Sequence, residues 1–164
     1  MAPPDLPWLY RYQEDGPRLD SITLRPIVPV AVVGVDVATP ALALVDSGSE
    51  HILAARWVAQ DAGYDPTRSH RQLVLGIGGD NIEVEFLDVS LRLLHPDGDD
   101  DVYIEWQAEV GFVSNWRPTW PMLMGQRGFL DRFTVTFSRQ SHMTAVEEWD
   151  VFDRRFGVPS VSER

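Results

Sequence analysis

The chain has no cysteine, which excludes disulfides and thiolate metal sites together. It also lacks any apolar stretch approaching the ~20 residues that a membrane-spanning helix needs. Met1 to Pro7 holds three prolines and an aspartate where a secretory leader carries its apolar core. A cytoplasmic protein with no membrane partner is the expectation. Basic charge is scarce as well: 14 Lys and Arg stand against 25 Asp and Glu, for a formal net charge of −11. Such a chain repels phosphate backbones, so a nucleic-acid partner is excluded from the expected set.

What remains has the composition of a globular domain. At 164 residues and 44% hydrophobic content there is material for one core and not for two. Met1 to Ser21 is proline- and charge-rich with Trp8, Leu9, Tyr10 and Tyr12 embedded, and reads as an arm (1–21) whose aromatics pin it to something. Ile22 to Val37 is dense in β-branched residues, broken by Pro26, Pro29 and Gly34. A strand, a turn near Gly34 to Pro40 and a second strand over Ala41 to Val45 follow from it. Leu53 to Ala62 is helix-like, with Gly63 as its stop.

From Arg71 the period changes to two. Leu73 and Leu75 lead up to Gly76-Ile77-Gly78-Gly79, and Ile82, Val84 and Phe86 alternate away, the pattern of a glycine-tipped hairpin. Val89, Leu91 and Leu93 continue into a further strand. After a turn at Pro96 to Asp101, Val102 to Val113 returns. Met122-Leu123-Met124 is a short apolar strand ending in Gly125, Phe129 to Phe133 suits one helical turn, and Thr134 to Phe137 a last strand. The residues beyond Arg139 are polar, with a helix expected around Ala145 to Phe156. The whole is mostly β with closely spaced strands.

One stretch carries chemistry. The apolar run Ala41 to Val45 delivers Asp46 straight off its end, followed by Ser47 and Gly48. A carboxylate leaving a buried strand is costly unless it is used, because desolvation disfavours the charged form. Taken alone, Asp-Ser-Gly also makes an ordinary turn, and both readings stay open at this level. Other clusters read more plainly. Asp97, Asp99, Asp100 and Asp101 lack the glycine and the twelfth-position acid of a calcium loop, and form a solvated turn. His51 beside Ser47 and Ser49 lacks the Gly-x-Ser-x-Gly context of a serine hydrolase. His70, His95 and His142 are scattered, so no metal is expected. Gly76 to Gly79 is followed by neither the Lys-Ser/Thr nor the helix of a phosphate loop. Trp106, Trp116 and Trp120 suit packing, and Asp131 a structural ion pair.

Three elements in order then matter together: Val45 to Gly48, Gly76 to Gly79, and Leu123-Met124-Gly125. In this the chain resembles the retropepsin-like aspartic proteases, the single-domain homodimeric branch of the pepsin superfamily, over roughly residues 25–137. Gly125-Gln126-Arg127-Gly128-Phe129-Leu130-Asp131-Arg132-Phe133 is similar to the segment that follows the late glycine in bacterial members. The resemblance implies a mostly-β, closed acid-protease barrel with one or two short helices, spanning 22–138, with 139–164 as a C-terminal extension. It implies Asp46 as the catalytic acid, with Ser47 and Gly48 supporting its loop. Gly76, Ile77, Gly78 and Gly79 would be the flap over substrate, and Leu123, Met124 and Gly125 the strand beside the site. It implies a peptide or protein substrate, no cofactor and no metal.

The chemistry asks for two carboxyls sharing one proton, one to take a proton from water and one to give a proton to the carbonyl. The chain has one Asp-Ser-Gly, so the second must come from a two-fold partner. A catalytically inactive peptide-binding module on the same fold is the alternative, since fold alone does not give function. One departure stands out. Family members commonly place an arginine directly after the late glycine, paired with an acid just past the triplet. Here that acid is Glu50 and the position holds Gln126, with Arg127 one residue late.

Overall fold

The computed structural model describes residues 7–14, 23–75, 80–99 and 101–159. The expected flap residues Gly76, Ile77, Gly78 and Gly79 lie outside the described residues. In chain order the elements are β1 (Trp8–Arg11), β2 (Gln13–Glu14), β3 (Leu24–Arg25), β4 (Ile27–Val33), β5 (Ala38–Val45) and β6 (Ile52–Ala55). Helix α1 (Arg56–Asp61), β7 (His70–Leu75), β8 (Asn81–Leu94), β9 (Tyr103–Val113) and β10 (Met122–Met124) come next. The chain closes with β11 (Phe133–Ser138), β12 (Met143–Glu148) and α2 (Trp149–Phe156).

Six strands form the barrel expected from the sequence, in the order β4-β5-β10-β6-β9-β8, and β8 returns onto β4 to close it. Alternation explains which faces point inward. In β5 Thr39, Ala41, Ala43 and Val45 are buried while Pro40 is exposed, the period of two that a half-buried strand requires. Short β10 threads between β5, which it meets in parallel, and β6, which it meets antiparallel. Met122 and Met124 are fully buried there, their unbranched side chains filling the interior between the flanking alanines.

Four segments differ from the sequence reading, each for a packing reason. The helix expected over 53–62 is divided: Ile52 to Ala55 forms β6 and only Arg56 to Asp61 is helical. Ile52, Ala54 and Ala55 have no exposed surface and pair in parallel with Val110, Phe112 and Val113, so the ladder overrides the helical preference of alanine. The second difference is at 81–94. The two strands expected there are one, whose outer part pairs with β7 and whose inner part closes the barrel.

The termini differ most. Trp8 and Tyr10, expected in an arm, are 2% and 3% exposed and belong to the main core. Their strand pairs with β12, which lies between β1 and β11 in a separate three-stranded sheet. The polar tail hides β12 because only every second residue faces in, notably Thr144 and Val146. Glu147 is buried against Arg155 of α2. The helix thus begins at Trp149 and not near Ala145.

Burial also holds the Tyr10 phenol far above its ordinary range, and its hydroxyl donates to the Leu94 carbonyl at 2.8 Å. Trp8→Ala is therefore expected to cost about 3–5 kcal/mol, the usual loss for a large aromatic truncated in a core. Leu9→Ala, on the half-exposed face of the same strand, should cost far less. Urea denaturation of the two variants checks this. A Trp8→Ala loss no larger than that of Leu9→Ala would return the segment to the status of an arm.

Candidate active site

The last residue of β5, Val45, is anchored by its N–H to the Pro26 carbonyl at 3.0 Å, and Asp46 donates its own N–H to the Met124 carbonyl at 3.0 Å. The chain then turns: the Gly48 N–H donates to Asp46 Oδ1 at 2.9 Å, and the Ser49 N–H to the Asp46 carbonyl at 3.1 Å. The carboxylate is thus oriented by its own loop. Asp46 is half-buried while Ser47 and Gly48 are exposed, so the acid sits at the surface end of the barrel with the loop tip turned outward.

A second segment braces that loop from the far side. Gln126 N–H donates to the Ser49 carbonyl and Arg127 N–H to the Glu50 carbonyl, both at 2.8 Å. The Gln126 side-chain amide donates to the Ser47 carbonyl at 2.7 Å. Gly125 makes this approach feasible. A Cβ there would overlap the His51 carbonyl oxygen and lie 2.6 Å from the Ser49 carbonyl oxygen.

Gln126 and Arg127 together resolve the departure noted in the sequence. Arg127 Nη2 reaches Glu50 Oε1 at 3.0 Å although it stands one residue late, and the intervening Gln126 takes a backbone acceptor of its own. Both partners of the ion pair are more than 60% exposed, so its value as an isolated pair is small, about 0–1 kcal/mol.

Asp46 also lines an open depression with Arg25, Leu44, Pro118, Thr119 and Trp120. The Trp116 indole N–H donates to the Trp120 carbonyl at 2.8 Å and so holds this wall. In the sequence Trp116 and Trp120 suit packing, and nothing marks Arg25, Pro118 or Thr119 for a role. The available signal was positional: Pro118 to Pro121 leads directly into β10, the strand that runs beside Asp46. A separate depression along α2, lined by Trp149, Asp153 and Val158, shares no residue with this site.

The structure thus brings together Asp46, Ser47, Gly48, Leu123, Met124 and Gly125. The other candidates fall elsewhere. Ser49 Oγ donates to the His51 carbonyl at 2.7 Å and not to its imidazole. Asp131 accepts the Gly128 N–H at 3.0 Å as part of a turn, and Trp106 is buried with its indole N–H on the Gly128 carbonyl. Over Phe129 to Phe133, where one helical turn was expected, the Phe133 N–H donates to the Phe129 carbonyl at 2.8 Å, a single turn that runs straight into β11. Among the described residues no group of three or more His, Asp or Glu is placed to hold a metal ion, and no helix is long and apolar enough to cross a membrane.

No family model matches the chain, and no curated protein matches it. Among solved structures it is similar to a retropepsin-like aspartic protease from Rickettsia conorii, with a TM-score of 0.53 at 17% identity, over 84% of this chain and 87% of that one. It also matches the EIAV protease in complex with an inhibitor, with a TM-score of 0.39 at 18% identity, over 68% of this chain and 88% of that one. The first of these likenesses shows the fold.

Proposed function

We propose that this chain, which has the retropepsin-like fold, is an aspartic endopeptidase that acts as a homodimer, with Asp46 of each copy forming the catalytic pair. The observation that carries the reading is the Asp46 loop itself. Its carboxylate accepts the Gly48 N–H, its loop is braced by residues 124–127, and the acid is half-buried at the end of β5, partly open to solvent.

Two such carboxyls at hydrogen-bonding distance cannot both ionise, so the pair holds one proton and titrates as a unit. The ionised member takes a proton from water as the water oxygen attacks the peptide carbonyl carbon. The protonated member gives its proton to the carbonyl oxygen. In the collapse, one hydroxyl of the tetrahedral intermediate returns a proton to the pair, the pair protonates the nitrogen, and the C–N bond breaks. The pair ends with the single proton with which it began.

The reading calls for a dimer because this sequence carries one Asp-Ser-Gly. Titration with a statine-type peptide, which mimics the tetrahedral intermediate, is expected to saturate at one mimic per two chains. Peptide hydrolysis per chain should fall on dilution as the dimer dissociates. One mimic per chain, or activity per chain that is independent of concentration in a species of monomer mass, would overturn the shared site. Binding of the mimic with no hydrolysis would favour the inactive peptide-binding module.

A further inference from the structure

Outside the main core lies a small apolar cluster of Val84, Phe86 and Val113, packed by Leu53, Val74, Ile82 and Trp116. It joins the β7–β8 arm to the barrel. Its centre is Phe86, made possible by Gly111 on the facing strand, where a Cβ would lie 3.0 Å from the Phe86 ring and 2.5 Å from Val84. His51, five residues beyond Asp46, meets the Phe86 ring edge-on at a centroid distance of 5.0 Å, and His70 of β7 stacks on Phe86 at 5.6 Å. The Asp46 loop and the arm therefore touch the same ring.

Next to Phe86 in β8 is a carboxylate the proposed chemistry does not use. Glu85 is 3% exposed, yet two arginines from different elements converge on it. Arg56, the first residue of α1, directs Nε at 2.9 Å and also Nη2 to Glu85 Oε2. Arg71 of β7 places Nη2 3.3 Å from Glu85 Oε1 and Nη1 3.1 Å from Glu83 Oε1. The ion chain runs from the barrel-borne helix through β8 to β7. A buried carboxylate so held has no alternative partner in water, so it keeps the two elements at one separation.

We infer that Glu85 is a positioning residue for peptide binding: the Arg56–Glu85–Arg71 chain sets the separation of the β7–β8 arm from the Asp46 loop. The kinetic part of this inference rests on the peptidase reading. The brace of the Asp46 loop uses residues 124–127 and not Glu85, so loss of the chain loosens β7 and leaves the acid in place. Binding should suffer more than chemistry.

Glu147 provides a matched control, since it is likewise 3% exposed and paired with an arginine, but on α2. In the full-length dimer, Glu85→Gln is expected to raise KM about tenfold with kcat changed less than about threefold, as loss of uniform binding does. Amide exchange in 72–75 and 81–84 should quicken about tenfold in the same variant, a local opening. Glu147→Gln should leave KM and those amides as in the parent. Equal KM shifts in both variants, or unchanged exchange in Glu85→Gln, would overturn the inference. If the parent does not hydrolyse peptides, the peptidase reading fails and the exchange comparison alone decides the latch. Should Glu85→Gln fail to fold, Arg71→Gln, at a side chain more than half exposed, substitutes for it. Faster exchange in β7 then supports the latch, and unchanged exchange refutes it.

Discussion

Asp46→Asn is expected to remove peptide hydrolysis by roughly 10³-fold or more while leaving the fold as it is, because general acid–base exchange contributes about 10²–10⁴-fold and the amide cannot take part in it. The geometry predicts the intact fold. The Asn carbonyl oxygen can accept the Gly48 N–H that Asp46 Oδ1 accepts now, and the backbone N–H still reaches Met124. In the proposed dimer two facing amides also need no shared proton to avoid like-charge repulsion, so thermal stability should equal or exceed that of the parent. Activity on a peptide substrate, circular dichroism and thermal denaturation check the three parts. Full activity in the variant would end the peptidase assignment. An unfolded variant would instead make Asp46 a structural turn residue, the reading that Asp-Ser-Gly permits on its own.

Gly125→Ala should be nearly as damaging for a different reason. The added methyl meets two backbone carbonyl oxygens, those of His51 and Ser49, and neither can swing aside as the end of a long side chain would. Overpacking against rigid surroundings typically costs 1–3 kcal/mol and occasionally more, and about 3 kcal/mol is expected here. Relief of the overlap would push the 49–51 segment away from 125–127, breaking the Gln126 and Arg127 contacts that brace the Asp46 loop. Activity should fall with stability, and stabilising additives that restore the melting temperature should not restore turnover. A variant with parental melting temperature and turnover would show that this close approach has no bearing on the site.

Much of this centre was legible because its elements are local. Ala41 to Val45 is an apolar run followed by an acid, a hydroxyl and a glycine; Met122 to Met124 is apolar and is followed by a glycine. Each statement concerns a few consecutive residues. What escaped the sequence was set by distant partners. Ile52 to Ala55 is a strand because Val110 to Val113 lies beside it. Met143 to Glu148 is a strand because β1 and β11 flank it and because Arg155 covers Glu147. Trp8 and Tyr10 sit among prolines and charges, and only the sheet they complete makes them core. The role of Arg127 shows the same limit. Counting from Gly125 placed it one residue late, but the turn through 126–128 brings its guanidinium to Glu50 regardless.

The continuity of β8 has a consequence for how chain length can vary. Its residues 90–93 seal the barrel against β4, residues 85–94 lie along β9, and residues 81–86 carry β7, all without a break. Side chains alternate along such a strand, so one inserted or deleted residue between 86 and 90 would invert either the seam or the arm. In one case Leu91 and Leu93 would turn to solvent; in the other Val84 and Phe86 would leave their cluster and Glu85 its arginines. Only a compensating bulge would save both. Length changes in this part of the chain are tolerable beyond the ends of β8, before Asn81 or after Leu94, and a spacer grafted into its middle would disconnect the arm from the barrel's register.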